Sequence, residues 1–334
     1  MIKEAKYYKQ LDNNNVKCVL CPHECIISPE SRGKCKVRKN IEGKLYSENF
    51  SIVSAIHNDP IEKKPLYHFY PGKNILSIGS IGCNLKCKFC QNHNISQTTV
   101  DKFSHAKIII PDVVINEAKR TRNNIGIAYT YNEPTVWYEF MLETAEKARA
   151  HKMKNIVVTN GYIKKEPLEE LINYTDAFNI DLKAYTEKFY KKQTKATLKP
   201  VLKTIERIST SKTHYEITNL IIPGLNDKKK IFKEMVKILA DINKDTVLHL
   251  SRYFPSYKTT IEPTNKTKML KLFEIAKKYL DFVYLGNMIT DRGQNTYCPK
   301  CNTKLISRSK YFTQINGLSE NTCINCRKVI PVIY

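Results

Sequence analysis

The stretch Ile81-Gly82-Cys83-Asn84-Leu85-Lys86-Cys87-Lys88-Phe89-Cys90-Gln91-Asn92-His93 brings three thiols together at C-x3-C-x2-C spacing. Thiolates gathered this closely select zinc or an iron–sulfur cluster. A cubic cluster normally takes four cysteine ligands. Three in one loop, with no fourth cysteine beside them in sequence, therefore leave one iron open to another ligand. A zinc loop completed by His93 is the other reading of the spacing. The residues ahead of the loop favour the cube. Asn74-Ile75-Leu76-Ser77-Ile78-Gly79-Ser80 is short, apolar and β-branched, and Gly72 and Gly82 bound it, so it reads as a strand. The thiols then follow a strand's carboxyl end, where ligand sites on α/β scaffolds collect.

Working outward, the chain has 334 residues, enough for one large α/β domain with small appendages. Its formal net charge is +23. A surplus of that size is compatible with an acidic partner such as nucleic acid. It is spread along the chain, however, with 12 basic and 8 acidic residues in 1–72 and 7 and 1 in 292–334. We read it as a solvated basic face set by composition. No stretch approaches the roughly 20 apolar residues of a membrane span, and Met1-Ile2-Lys3-Glu4-Ala5-Lys6 lacks the apolar core of a leader. The 11 cysteines fall into groups with ligand-type C-x2-C spacings, unlike a disulfide framework. A reducing cytoplasm is expected, and an anaerobic one, because a cube with an open iron is readily lost to oxygen.

Three segments follow from the cysteine groups. Residues 1–72 are expected to form an N-terminal module around Cys18, Cys21, Cys25 and Cys35, a closed site for zinc or an auxiliary iron–sulfur cluster, with zinc slightly preferred. Residues 73–291 alternate strand and helix. Strands are expected at 74–80, 125–131, 155–159, 177–182, 215–222 and 246–251, with a short one near 282–286. Amphipathic runs such as Val136 to His151 and Lys228 to Asn243 lie between them. A parallel sheet covered by helices, working at its strand carboxyl ends, is implied. Residues 292–334 carry Cys298-x2-Cys301 and Cys323-x2-Cys326, a zinc-ribbon or rubredoxin-like knuckle pair for zinc or iron.

Cys83, Cys87 and Cys90, with Phe89 directly before the third cysteine, resemble the signature of the radical S-adenosylmethionine (SAM) enzymes. Asp59 to His68, Thr130 to Thr135 and Gly286 to Pro299 further resemble the radical SAM member of the AmmeMemoRadiSam system, a group related to the pyruvate formate-lyase activating enzymes. The resemblance runs over essentially the whole chain. It implies an α/β fold built as a partial (β/α)6 radical SAM barrel with small Cys-rich metal-binding modules at both ends. It also implies a 4Fe-4S cluster whose open iron is chelated by the amino and carboxylate groups of SAM.

The resemblance also assigns residues to SAM. Glu133 stands where related enzymes place a glutamate on the SAM amino group, with Tyr131 and Asn132 in place of two glycines. Asn160 lies in Thr159-Asn160-Gly161, similar to a motif of the activating enzymes, with Val158 where those have aspartate. Asp181-Leu182-Lys183 matches a family motif whose lysine lies near the SAM carboxylate. Phe89 flanks the cofactor. On the strand at 246–251, His249 is read as a SAM or substrate contact with a core role as its alternative, and Arg252 as an anion contact.

The function implied is reductive cleavage of SAM to a 5′-deoxyadenosyl radical that abstracts hydrogen from a substrate, with an electron donor such as ferredoxin or flavodoxin. The substrate is open between small molecule, protein and RNA. Activation of a glycyl radical enzyme and an RNA-binding or RNA-modifying role for the metal knuckles are the alternatives.

Overall fold

A computed structural model of the chain describes residues 1–104 and 107–334. Its central part alternates strands and helices: β1 Ala55–Pro60, β2 Asn74–Gly79, α1 Pro111–Arg120, β3 Asn124–Tyr129, α2 Tyr138–Ala150, β4 Lys154–Thr159, α3 Lys165–Tyr174, β5 Ala177–Asp181, α4 Leu198–Ser209, β6 His214–Ile221, α5 Lys229–Ile242, β7 Val247–Arg252, α6 Lys266–Lys277 and β8 Val283–Gly286. These strands form one eight-stranded sheet whose spatial order is the chain order. From β2 to β8 every neighbouring pair is parallel. The two edges, β1 and β8, do not pair, so the barrel is open.

The residues explain the elements. Ile127 to Tyr129, Ala177 to Ile180 and Val247 to Leu250 are buried runs, which a parallel sheet covered on both faces requires. In α4, Leu198, Val201, Ile205 and Ile208 fall on one face and are buried, as are Phe232, Met235, Val236 and Leu239 in α5. Each such side chain contributes about 1.5–3 kcal/mol by leaving water. Pro111 opens α1, where its missing N–H costs nothing. Asn265 caps α6 by accepting the Thr267 N–H at 2.8 Å.

One boundary differs from the sequence reading. The sheet begins inside the segment assigned to the N-terminal module, because β1 pairs antiparallel with β2 from Ala55 opposite Gly79 to Pro60 opposite Asn74. His57 and Asn58 are exposed and Pro60 ends the strand. A sheet edge is blunted in this way, and such a sequence does not read as strand.

The two cysteine-rich ends sit at opposite ends of the barrel. The N-terminal one docks at the mouth, formed by the strand carboxyl ends. There the Lys164 N–H, just beyond β4, donates to the Leu20 carbonyl at 3.1 Å, and buried Arg38 ion-pairs with Glu139 of α2. The C-terminal ribbon, with antiparallel strands Thr296–Tyr297, Lys304–Ser309 and Phe312–Ile315, seals the foot. Its Arg308 donates to the Tyr67 carbonyl at 2.7 Å and to Thr296 at 2.9 Å. Val247, Phe282 and Tyr284, at the starts of β7 and β8, complete its core. Among the described residues no helix is long and apolar enough to cross a membrane.

Candidate active site

The three-thiol loop leaves β2 through Gly82, whose φ is +86°. A Cβ there would stand 2.6 Å from Val37 Cγ1 and 2.9 Å from the Cys35 carbonyl, so only glycine lets the loop lie against the N-terminal segment. Its backbone is pinned on both sides. The Lys86 and Lys88 N–H groups donate to the carbonyls of Thr194 and Gln193 at 2.8 and 3.0 Å, and the Lys258 N–H donates to the Lys88 carbonyl at 2.8 Å. The Ser256 hydroxyl donates to the Cys90 carbonyl at 3.2 Å. The His93 ring stacks on Tyr257 with centroids 4.6 Å apart. Phe89 is buried against Phe189.

Donors surround the sulfurs. Cys83 Sγ accepts the Leu85 N–H at 3.3 Å and faces Asn160 Nδ2 at 3.8 Å. Cys90 Sγ lies 3.4 Å from the Ser96 hydroxyl. Burial, with the nearby Glu133 carboxylate, pushes the Cys83 thiol well above its ordinary range, and burial pushes Cys87 up to about 12. Such thiols become thiolates only when a cation takes the place of the proton.

Spacing decides which cation fits. Among the described residues, Cys298, Cys301, Cys323 and Cys326 are the only group of three or more Cys, His, Asp or Glu whose ligand atoms all lie within 4.8 Å of one another. Within that group Cys298 and Cys326 are 3.5 Å apart and Cys301 and Cys323 3.6 Å. A tetrahedral ion with metal–sulfur bonds of about 2.3 Å needs sulfurs about 3.8 Å apart, so the quartet fits one ion. Cys83, Cys87 and Cys90 do not form such a single-ion group.

Glu133 and Asn160 converge on Cys83. Glu133 is buried and accepts the Thr135 N–H at 3.0 Å, the Thr159 hydroxyl at 2.7 Å and the Asn160 N–H at 2.8 Å. It thus caps the helical turn Pro134–Trp137 while tying the ends of β3 and β4 together. Burial raises its pKa against those bonds. Asn160 Nδ2 donates to Asn84 Oδ1 at 2.8 Å. On the other side, Lys183 pairs with Asp181 at 2.7 Å. Burial would lower the Lys183 pKa, but the Asp181 carboxylate and Cys87 together hold the ammonium charged.

His249 is not brought to the thiols. It donates to the buried Glu216 carboxylate at 2.6 Å, and that carboxylate also takes His214 at 3.0 Å and the Tyr67 and His68 N–H groups at 3.0 and 2.7 Å. This network belongs to the foot, and the core role is the one His249 fills. Arg252, at the end of β7, donates to the Thr264 carbonyl at 2.7 Å and lies over the Phe254 ring.

Four residues escaped sequence reasoning. Asn84 looks like a spacer between cysteines, yet it bonds Asn160 through Oδ1 and donates through Nδ2 to the Tyr162 carbonyl at 2.8 Å. His23, between Cys21 and Cys25, donates through Nε2 to the Asn84 carbonyl at 2.8 Å. Ser256 and Tyr257 reach Cys90 and His93 from far along the chain. No local pattern signals any of these. A cavity of about 570 Å³ opens beside the loop, lined by His23, Asn84, Lys86, Tyr162 and Lys191 among others.

The description "Radical SAM superfamily" matches residues 77–251. An uncharacterized protein of Methanocaldococcus jannaschii is 41% identical, covering 99% of this chain and 100% of that one. A candidate glycyl-radical enzyme activating enzyme of the same organism is 29% identical over 62% of this chain and 79% of its own length. Among solved structures, SuiB of Streptococcus suis bound to S-adenosylmethionine superposes with a TM-score of 0.51 at 14% identity, covering 64% of this chain and 52% of that chain, a likeness of fold alone. With its three-thiol loop at the end of β2 and a matched region that runs from β2 into β7, the chain belongs to the radical SAM superfamily of enzymes.

Proposed function

We propose that the protein cleaves SAM reductively at a cluster held by Cys83, Cys87 and Cys90, and uses the resulting radical on a substrate bound at the barrel mouth. The observation that carries this reading is the convergence of Glu133 and Asn160 on Cys83, opposite Asp181 and Lys183 beside Cys87. A carboxylate at Glu133 and an ammonium at Lys183, both near the three thiols, would suit the amino and carboxylate ends of a methionine.

The cluster, when bound, supplies the electron that breaks the carbon–sulfur bond of SAM. The chain's own residues do the rest. Glu133, fixed by three donors, presents a carboxylate that cannot swing away. Lys183, kept charged by Asp181, offers a half-buried cation for a charge-assisted hydrogen bond. Leu85 N–H and Asn160 Nδ2 donate toward Cys83, which stabilises a thiolate there. Phe89 and Phe189 exclude water from one side of the loop.

Incubation with SAM and a strong reductant under anaerobic conditions should yield 5′-deoxyadenosine, and Ala at Cys83, Cys87 and Cys90 together should abolish it. Product surviving that triple change sinks the reading. A second reading, activation of a glycyl radical enzyme, is favoured by the relative described as such an activating enzyme. A glycyl radical signal in a partner protein, dependent on this chain and SAM, is its test.

A further inference from the structure

The cavity of about 570 Å³ beside the three-thiol loop is lined by Lys34, Lys86, Lys191 and Lys195, and by no aspartate or glutamate. Folding gathers these four from three places. Lys86 comes from the loop itself, Lys34 from beside Cys35, and Lys191 and Lys195 from the helical turn Tyr190–Thr194 and the residue that ends it. Like charges brought together repel, and elsewhere at the mouth the chain answers its cations with carboxylates. Lys164 pairs with Glu24 at 2.8 Å and Lys183 with Asp181 at 2.7 Å. Among the described residues none of the four lining lysines makes an ion pair. A surplus set by composition alone would spread over convex surface, whereas here it closes on a hollow.

The wall is fixed by its own bonds. His23 donates through Nε2 to the Asn84 carbonyl, so its Nδ1 is an acceptor, and Lys34 Nζ lies 3.4 Å from it. Tyr162 is buried, with its hydroxyl 3.1 Å from that of Thr197. Lys86 Nζ is buried in the wall without a hydrogen-bond partner, so it adds charge rather than a contact. Lys191 and Lys195 are exposed and line the hollow from its solvent side.

These features select a class of ligand. Arginine's planar fork suits carboxylates, while lysine meets phosphate as a point charge, and no arginine lines the hollow. A phosphate monoester brings about −1.5 to −2 charges at pH 7, where a carboxylate brings one. The volume is that of a small-molecule site, roughly 300–1,000 Å³. Single-stranded nucleic acid is held on exposed aromatic rings, but the Tyr162 ring is buried edge-on against His23, with centroids 5.1 Å apart. Lys191 and Thr197 also line a second cavity of about 630 Å³ that has Ile163, Leu168 and Pro200 in its wall, an apolar bed for the organic part of a ligand.

We propose that this hollow binds a small phosphorylated molecule, with the phosphate among the four lysines and the organic part toward Ile163 and Leu168. Cys83, Cys87 and Cys90 do not line it. The site is therefore distinct from the place the three thiols enclose, and it does not rest on SAM cleavage.

Phenyl phosphate, a phosphate monoester on a small apolar ring, is the probe. Calorimetric titration of full-length, anaerobically prepared protein, with neither SAM nor reductant present, should show saturable single-site binding. Lys191→Ala with Lys195→Ala should weaken it by roughly ten- to a hundredfold at an unchanged melting temperature. Lys191→Gln and Lys195→Gln taken singly give the same test should the double variant fold poorly. Benzoate, with the ring and a single charge, should bind wild type more weakly than phenyl phosphate. Absence of saturable binding to wild type, wild-type affinity in the lysine variants, or benzoate binding equally well would each overturn the proposal. A single-stranded oligonucleotide that binds more tightly than phenyl phosphate, and loses its binding with the same two lysines, would overturn it in favour of nucleic acid. Because SAM is absent throughout, the outcome is independent of whether the chain cleaves it.

Discussion

Asn160 donates through Nδ2 to Asn84 Oδ1 at 2.8 Å, and the same nitrogen stands 3.8 Å from Cys83 Sγ. One amide thus joins the end of β4 to the cluster loop. Asn160→Ala leaves Asn84 Oδ1 and the Tyr162 N–H without partners in a buried setting, at about 1–3 kcal/mol each. We expect a lower melting temperature. In a double-mutant cycle with Asn84→Ala the two changes should be non-additive by about 0.5–3 kcal/mol. Additive effects would show that the bond couples nothing.

Glu133→Gln tests the contact to the SAM amino group. The neutral amide keeps one acceptor oxygen for Thr135 and Thr159 but loses the charge. SAM affinity should fall roughly ten- to a hundredfold, the worth of about 1.5–3 kcal/mol, with iron content unchanged because Glu133 ligates nothing. Calorimetric titration of the reconstituted protein reads it, and wild-type affinity would remove Glu133 from the site.

Lys183→Met should lower affinity and modestly lower stability, because half-buried Asp181 then loses its partner. Lys183→Met with Asp181→Asn separates the two roles. Melting temperature should recover in the double variant, while SAM affinity should stay low. Recovery of both would make Lys183 a purely structural group.

Acid sensitivity should come from the foot. Burial first, and Arg308 and His214 after it, hold His68 down to about 3, against the pull of Glu216. An unfolded histidine titrates near 6.5. The unfolded chain therefore binds this proton before the folded one does. Its stability contribution is complete above about pH 6.5 and declines as pH falls toward 3, by up to about 1.4 kcal/mol per unit. Urea midpoints at several pH values between about 5.5 and 4.5 should show a slope that is shallower by about one proton in His68→Gln. An unchanged slope would mean that another group carries the acid response.

How much of this was legible in the sequence depended on whether a feature is local. The strands from β2 to β8 carry continuous apolar runs and the helices a 3.6-residue stripe, so their placement follows from neighbouring residues. The three-thiol loop stands out in sequence because its spacing alone gathers three soft ligands. β1 does not, because an edge strand with His57, Asn58 and Pro60 lacks a second buried face. Asn84 and His23 carry no local signal, since their partners lie 76 and 61 residues away. His249 was drawn toward the mouth by its position on a strand, and only the three-dimensional meeting with Glu216 assigns it to the foot. The two outer quartets could not be told apart, because spacing along the chain does not give the distance between sulfurs.

The close approach of Gly82 to Val37 and Cys35 makes the three-thiol loop depend for its shape on residues 35–37. A lesion that disturbs those residues, such as Cys35→Ala, should therefore lower the iron that Cys83, Cys87 and Cys90 retain, although it removes none of those three thiols. Wild-type iron at that loop in the Cys35→Ala variant would show that the loop keeps its shape alone.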